Sequence, residues 1–191
     1  FADGYSSVSS LGGQTLSPYD PSRDSGGSSG GSAVAVTSNF AAAGWGTDSC
    51  GSVRYPAAHN DLYALRPTEG LTSRSGVIPL STTLDTMSAM ARSVVDLDAT
   101  AGVDPEDPTT VPVDASYVDA VDPNGLAGRR IGLLRGTVNA DVERLMTAAI
   151  DDMKANGVEV VDVALPSEEG SYNFFGEFGF AMNEYLAGQP D

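Results

Sequence analysis

Residues 130–164, RIGLLRGTVNADVERLMTAAIDDMKANGVEVVDVA, decide the fold class. Ile131-Gly132-Leu133-Leu134 is a short apolar run suited to a buried strand. After it Val142, Leu145, Met146, Ala149, Ile150 and Met153 recur at steps of 3, 1, 3, 1 and 3, which places all six on one face of a helix. Asn139 is suited to cap the start of that helix and Gly157 its end. Val158-Glu159-Val160-Val161-Asp162-Val163 then reads as a second strand. Strands joined through a helix run parallel and need helices to cover them, so these residues form a β-α-β unit and the class is α/β.

Working outward, residues 172–186 are a predicted helix, as are residues 86–100. Residues 103–128, rich in Asp and Pro, read as an exposed connection. Residues 1–32 are dominated by Ser and Gly, a composition that also suits a flexible linker. The small-residue segment Ala33-Val34-Ala35-Val36 that follows directly argues instead for a glycine loop feeding a helix. Such a loop gathers backbone N–H groups at a helix start, where anionic or developing-anion groups are favoured. Residues 41–47 read as a buried strand leading into a second tight loop at Asp48-Ser49-Cys50-Gly51-Ser52.

Composition limits the function classes. The 191 residues are 41% apolar, enough to bury a core, and at about 100 to 200 residues per domain they make one domain or a piece of one. No apolar run approaches the roughly 18 residues that span a bilayer. Ten basic against 26 acidic side chains give a net charge of −16. That balance leaves little with which to build a phosphate-tracking surface, so direct nucleic-acid binding is not expected. Lys154 is the only lysine, and 18 of the 26 acids are Asp. A carboxylated surface with almost no lysine suits a protein working in concentrated salt; a GC-rich genome, in which Arg displaces Lys, is the alternative. One Cys and one His, His59, exclude an internal disulfide and any multi-cysteine or histidine-rich metal site.

Two loops share a logic. Gly26-Gly27-Ser28-Ser29-Gly30-Gly31-Ser32 and Gly46-Thr47-Asp48-Ser49-Cys50-Gly51-Ser52-Val53-Arg54 both present serine among residues that tolerate unusual backbone angles, and Ser28 precedes Ser52 by 24 positions. Together they closely resemble the amidase signature family. Its fingerprint is a Gly-Gly-Ser-Ser-Gly-Gly-Ser loop, then Gly-Thr-Asp-x-Gly-Gly-Ser-Ile-Arg, then Pro-Ala and a Leu-Lys-Pro-Thr strand end. Corresponding stretches here are Pro56-Ala57, Leu65-Arg66-Pro67-Thr68, residues 73–80 and Leu84-Asp85-Thr86. The resemblance is strong over residues 12–100 and weaker beyond.

It implies a mixed twisted sheet covered by helices on both faces, incomplete at both ends. On that basis residues 1–191 are a single partial amidase domain: a signature core (1–100), the connection (101–128) and the β-α-β unit with its following helix (129–191). It also implies a Ser-Ser-Lys hydrolase. Ser52 would attack a carboxamide carbonyl, and Ser28, after a cis peptide bond, would relay a proton between Ser52 and a lysine. A serine hydroxyl is a weak nucleophile until a neighbouring base takes its proton. That lysine must be neutral, which burial or cationic neighbours bring about. Backbone N–H groups of Ser49, Cys50, Gly51 and Ser52 would receive the oxyanion, a strong donor being worth about 3 to 4 kcal/mol in other hydrolases. Asp48 and Arg54 would form a structural ion pair, and Ser29 would support the loop. Neither metal nor organic cofactor is implied.

The family's lysine lies further upstream than the 27 residues that precede Ser28, and Lys154 reads as a cation at a helix C-terminus. The chain is therefore expected to be the middle portion of a longer amidase, inactive alone. Cys50 replaces a usual glycine and is expected to pack as a small hydrophobe rather than act as a nucleophile. His59 is expected to be structural or to line a pocket; Asn60-Asp61 replaces a small-residue stretch. A linear-amide hydrolase acting on a small-molecule or peptide amide is favoured, because Gly12 to Thr15 ahead of Ser17-Pro18-Tyr19-Asp20 is more like stand-alone and peptide amidases. The alternatives are the amidase subunit of a tRNA-dependent amidotransferase, which would release ammonia from glutamine, and a non-catalytic member of the fold. A cytoplasmic location and a homodimer are compatible with all three.

Overall fold

The computed structural model describes residues 4–97, 102–113, 116–136, 138–165 and 175–189. In chain order the elements are β1 (Val8–Ser9), β2 (Gly13–Gln14), α1 (Gly30–Thr37), β3 (Ala43–Asp48), α2 (Arg54–His59), β4 (Tyr63–Leu65), β5 (Thr86–Ala91), β6 (Arg130–Leu134), α3 (Ala140–Ala155), β7 (Glu159–Val163) and α4 (Phe175–Ala187). Short 3-10 turns cover Val95–Leu97 and Val118–Ala120. The class is mixed α/β. Two compact units divide the chain: Phe1–Val118 with Asn173–Asp191, and Asp119–Tyr172.

The first unit is built on a three-stranded antiparallel sheet in the order β3-β5-β4. Its central strand corrects the expected helix over residues 86–100. With β3 on one side and β4 on the other, five of its six residues are buried, so no polar alternation marks it as a strand. Its small residues and Met read equally well as a helix. Residues 98–100 of that expected helix lie outside the described residues. β3 is also less buried than expected: among the described strands it sits at the sheet edge, and Ala43 and Trp45 are exposed.

Packing against α1 explains the Gly-Trp-Gly of β3. A Cβ on Gly44 would stand 2.9 Å from Val36 Cγ2, and one on Gly46 would run into the Ser29 side chain and come 2.9 Å from Val53 Cγ2. Side chains at these positions would push the helix off the sheet. The core that results is Ala33, Val53, Ala57 and Met90, with Leu62 and Ala64 against it, and a second cluster joins Ala89, Ala91 and Leu97. The Asp-rich stretch after residue 101 is anchored in part rather than freely exposed. Asp107 is buried and accepts from Arg74 N–H at 2.7 Å, Asp104 accepts from Ser73 Oγ at 2.6 Å, and Val111 N–H donates to Gly70 C=O at 2.9 Å.

In the second unit the β-α-β reading holds: β6 and β7 pair in parallel, Ile131 opposite Val160. Asn139 accepts from Val142 N–H at 2.9 Å and so caps α3. Gly157, at φ +82°, turns the chain out of the helix, in a left-handed conformation that favours glycine. α4, which belongs to the first unit, begins at Phe175; residues 172–174 of the helix expected there lie outside the described residues. No helix among the described residues is long and apolar enough to cross a membrane.

Candidate active site

The first serine loop enters α1. The Gly27–Ser28 peptide is cis. Ser7 holds it from one side: its Oγ lies 2.8 Å from Gly26 C=O and 3.1 Å from Ser28 C=O, and accepts from Gly30 N–H at 3.0 Å. Asn60, wholly buried at the end of α2, holds the chain just before the loop. Its Nδ2 donates to Ser25 C=O and Pro56 C=O, both at 2.7 Å, while Oδ1 has no partner among the described residues. Asp24 Oδ1 accepts from Gly26 N–H at 2.8 Å.

The second loop leaves β3 and enters α2. Asp48, with no exposed surface, is its hub. Its Oδ1 accepts from Gly51 N–H at 2.7 Å and Arg54 Nη2 at 3.0 Å; its Oδ2 accepts from Arg54 Nε at 3.0 Å, Val53 N–H at 3.2 Å and Arg54 N–H at 3.3 Å. Burial pushes the Asp48 carboxyl up, but the bond from Arg54 and the three N–H groups outweigh it and hold the group below the usual carboxylate range. The same contact raises the Arg54 guanidinium. Arg66 adds a third side: Nε donates to Asp48 C=O at 3.3 Å and Nη2 to Leu84 C=O at 2.7 Å.

These loops meet. Ser29 N–H donates to Ser52 C=O at 2.9 Å, so the residue after Ser28 is tied directly to Ser52. Ser28 is half-buried and Ser52 buried. Of the four N–H groups expected to face an oxyanion, that of Gly51 is directed to Asp48; those of Ser49, Cys50 and Ser52 meet no acceptor among the described residues.

Cys50 departs from its expectation. It is exposed. The Tyr5 hydroxyl is held above its usual range, chiefly by its electrostatic interaction with Cys50, and Tyr5 meets Tyr55 edge to face at 5.2 Å. His59 is exposed, lies with Nδ1 3.6 Å from Asp24 Oδ1, and lines a cavity with Ser17, Ser22 and Arg23. Lys154 occupies the last turn of α3 in the second unit. Sequence reasoning does not find Ser7, Asn60 and Arg66 as supports. Only Arg66, within a matched family stretch, carries a signal.

Comparison with known proteins gives this geometry a setting. A family model described as Amidase matches residues 1–184. A glutamyl-tRNA(Gln) amidotransferase subunit of Deinococcus deserti is 39% identical over 173 residues, covering 87% of this chain and 35% of that protein. The native peptide amidase from Stenotrophomonas maltophilia superposes with a TM-score of 0.86 at 38% identity, over 97% of this chain and 41% of its own. An amidase family protein from Bacillus anthracis gives 0.86 at 34% identity, over 94% and 38%. The chain thus spans roughly a third of the length of the curated relatives it matches. With one family model covering it almost from end to end and structures of that family superposing on it, the chain belongs to the amidase family.

Proposed function

We propose that this chain carries the serine machinery of an amide hydrolase that cleaves a linear carboxamide through an acyl-enzyme on Ser52. Ser52 Oγ forms the bond to the carbonyl carbon while its proton passes to Ser28 Oγ, and from Ser28 to a base. The tetrahedral oxyanion is received by the N–H groups of Ser49, Cys50 and Ser52, braced by Asp48 and Arg54. The C–N bond then breaks, the amine leaves with the relayed proton, and water hydrolyses the ester. The observation that carries this reading is the hydrogen bond from Ser29 N–H to Ser52 C=O, which ties the residue after Ser28 directly to Ser52 and so supports a proton relay between the two loops. Resemblance assigns the base to a lysine. Lys154, at the end of α3, is suited to a helix C-terminus instead, so the base is proposed to lie outside these 191 residues. The similarity to a peptide amidase favours a small-molecule or peptide amide as substrate.

A fluorophosphonate probe is expected to label Ser52 in the full-length protein, and Ser52→Ala is expected to abolish both labelling and amine release. Labelling at another residue would remove the nucleophile assignment. The 191-residue chain alone is expected to turn over no amide; turnover that Ser52→Ala abolishes would refute the external base.

The 39% identity to a subunit of an amidotransferase supports a second reading, in which the same serines liberate ammonia from glutamine inside a complex. Ammonia release from free glutamine that depends on an added partner protein would favour it; partner-independent hydrolysis of peptide amides would favour the first.

A further inference from the structure

Ser49 carries one of the N–H groups proposed for the oxyanion, and its side chain is committed elsewhere. The buried hydroxyl donates to Asp85 Oδ1. Asp85 Oδ2 accepts from Leu80 N–H at 2.7 Å and Ser81 N–H at 3.0 Å. The residue is 4% exposed. Among the described residues no cation pairs with this carboxylate; Arg74, the nearest bonded one, donates to the Asp85 backbone C=O at 3.4 Å. One buried carboxylate therefore joins the second serine loop to the chain at 80–81 through three neutral donors. That chain is clamped in turn by Glu177 of α4, which accepts from Ser81 Oγ and Thr83 Oγ1, both at 2.8 Å.

We propose that Asp85 is a positioning residue for amide hydrolysis: by holding the Ser49 hydroxyl it fixes the peptide planes that aim the Ser49 and Cys50 N–H groups at the oxyanion. The inference rests on the acyl-Ser52 reading above. The Ser49 hydroxyl donates to Asp85 Oδ1, which holds the side chain in one orientation. The two N–H bonds on Oδ2 stop Asp85 from turning away. Preorganised donors act on charge that exists only in the transition state, and a loop that wavers loses that advantage without losing substrate.

The test uses the full-length protein with a peptide amide substrate and the variants Asp85→Asn, Ser49→Ala and the double variant. Ser49→Ala leaves Asp85 with its two backbone donors, so it keeps the fold; its melting temperature is expected within about 3 °C of wild type. Each single variant is expected to lower kcat about ten- to a hundredfold while KM stays within about twofold, the signature of an interaction made only in the transition state. The double variant is expected to match the poorer single within about threefold, because both remove one contact. Wild-type kcat in Ser49→Ala, losses that multiply in the double variant, or a rise in KM that accounts for the loss would each overturn the proposal. Fluorophosphonate labelling separates the two levels. If wild-type Ser52 does not react, the acyl-Ser52 reading fails and takes this proposal with it. If wild type and Ser49→Ala react at the same rate, only the role of Asp85 fails.

Discussion

The two serine loops are held by different forces. Residues 26–32 are fixed mainly by a neutral group, the Ser7 hydroxyl, while the Asn60 amide holds Ser25 just before them and the half-exposed Asp24 accepts from Gly26 N–H. Residues 46–54 are fixed by charge: Asp48, fully buried, receives five bonds from Arg54 and the loop's own backbone, and Asp85 takes Ser49. Neutral bonds are forgiving of pH and salt. A buried carboxylate that accepts several N–H groups is stiffer, since each lone pair it leaves unfilled carries a desolvation cost. The stiffer support stands where N–H groups are proposed to meet developing charge.

The contrast is broken most severely at Asp48. Asp48→Ala leaves three loop N–H groups without their acceptor, so the expected loss is about 3 kcal/mol of stability by denaturant unfolding, towards the lower bound for a buried pair because Arg54 is half-exposed. A loss no larger than that of a surface Asp→Ala would show that the loop is held by something else.

Acid does the same work without mutation. The folded-state pKa of Asp48 lies below the ordinary value of 3.8, so the native state binds fewer protons than the unfolded one. Its stabilisation is complete above the unfolded value and is lost as pH falls below about 4 and on through the folded one. Hydrogen-exchange protection of the Gly51, Val53 and Arg54 N–H groups is expected to decline over that window before that of Gly30. Parallel decline in both loops would erase the distinction.

A smaller effect is expected on the neutral side. Ser7→Ala removes one hydroxyl that serves Gly26, Ser28 and Gly30, for about 1 kcal/mol that does not vary with pH across the acid window. Equal sensitivity of the Ser7→Ala penalty and the Asp48→Ala penalty to pH would contradict the division of forces.

How legible each part is in the sequence follows from where its partners lie. The β-α-β unit can be read directly, because the helical period, the Asn139 cap and Gly157 are local signals. Both serine loops stand out as motifs for the same reason. Their supports do not. Ser7 reaches across 21 positions to Ser28 and Asn60 across 35 to Ser25, and each acceptor is a backbone carbonyl, which leaves no trace in side-chain pattern. β5 reads as a helix because burial on both faces erases the alternation that identifies a strand. Cys50 defeats its expectation because its residue type suggests the core, whereas the loop turns it outward.

Salt bears on the same division, with the smallest effect. The chain carries −16 at neutral pH, and among the described residues most acids stand at the surface, where mobile ions reach them. Asp48 is shielded from those ions and already neutralised by Arg54. Raising KCl from about 0.1 M to about 2 M shortens the screening length from about 10 Å to under about 3 Å, which relieves surface repulsion and leaves the buried pair nearly unchanged. The melting temperature is therefore expected to rise by a few degrees while the Asp48→Ala penalty stays constant. A melting temperature that is higher in dilute buffer would remove the reading of the acidic surface as an adaptation to concentrated salt. A penalty that shrinks with salt would mean that ions reach Asp48, and that the second loop is no better sheltered than the surface.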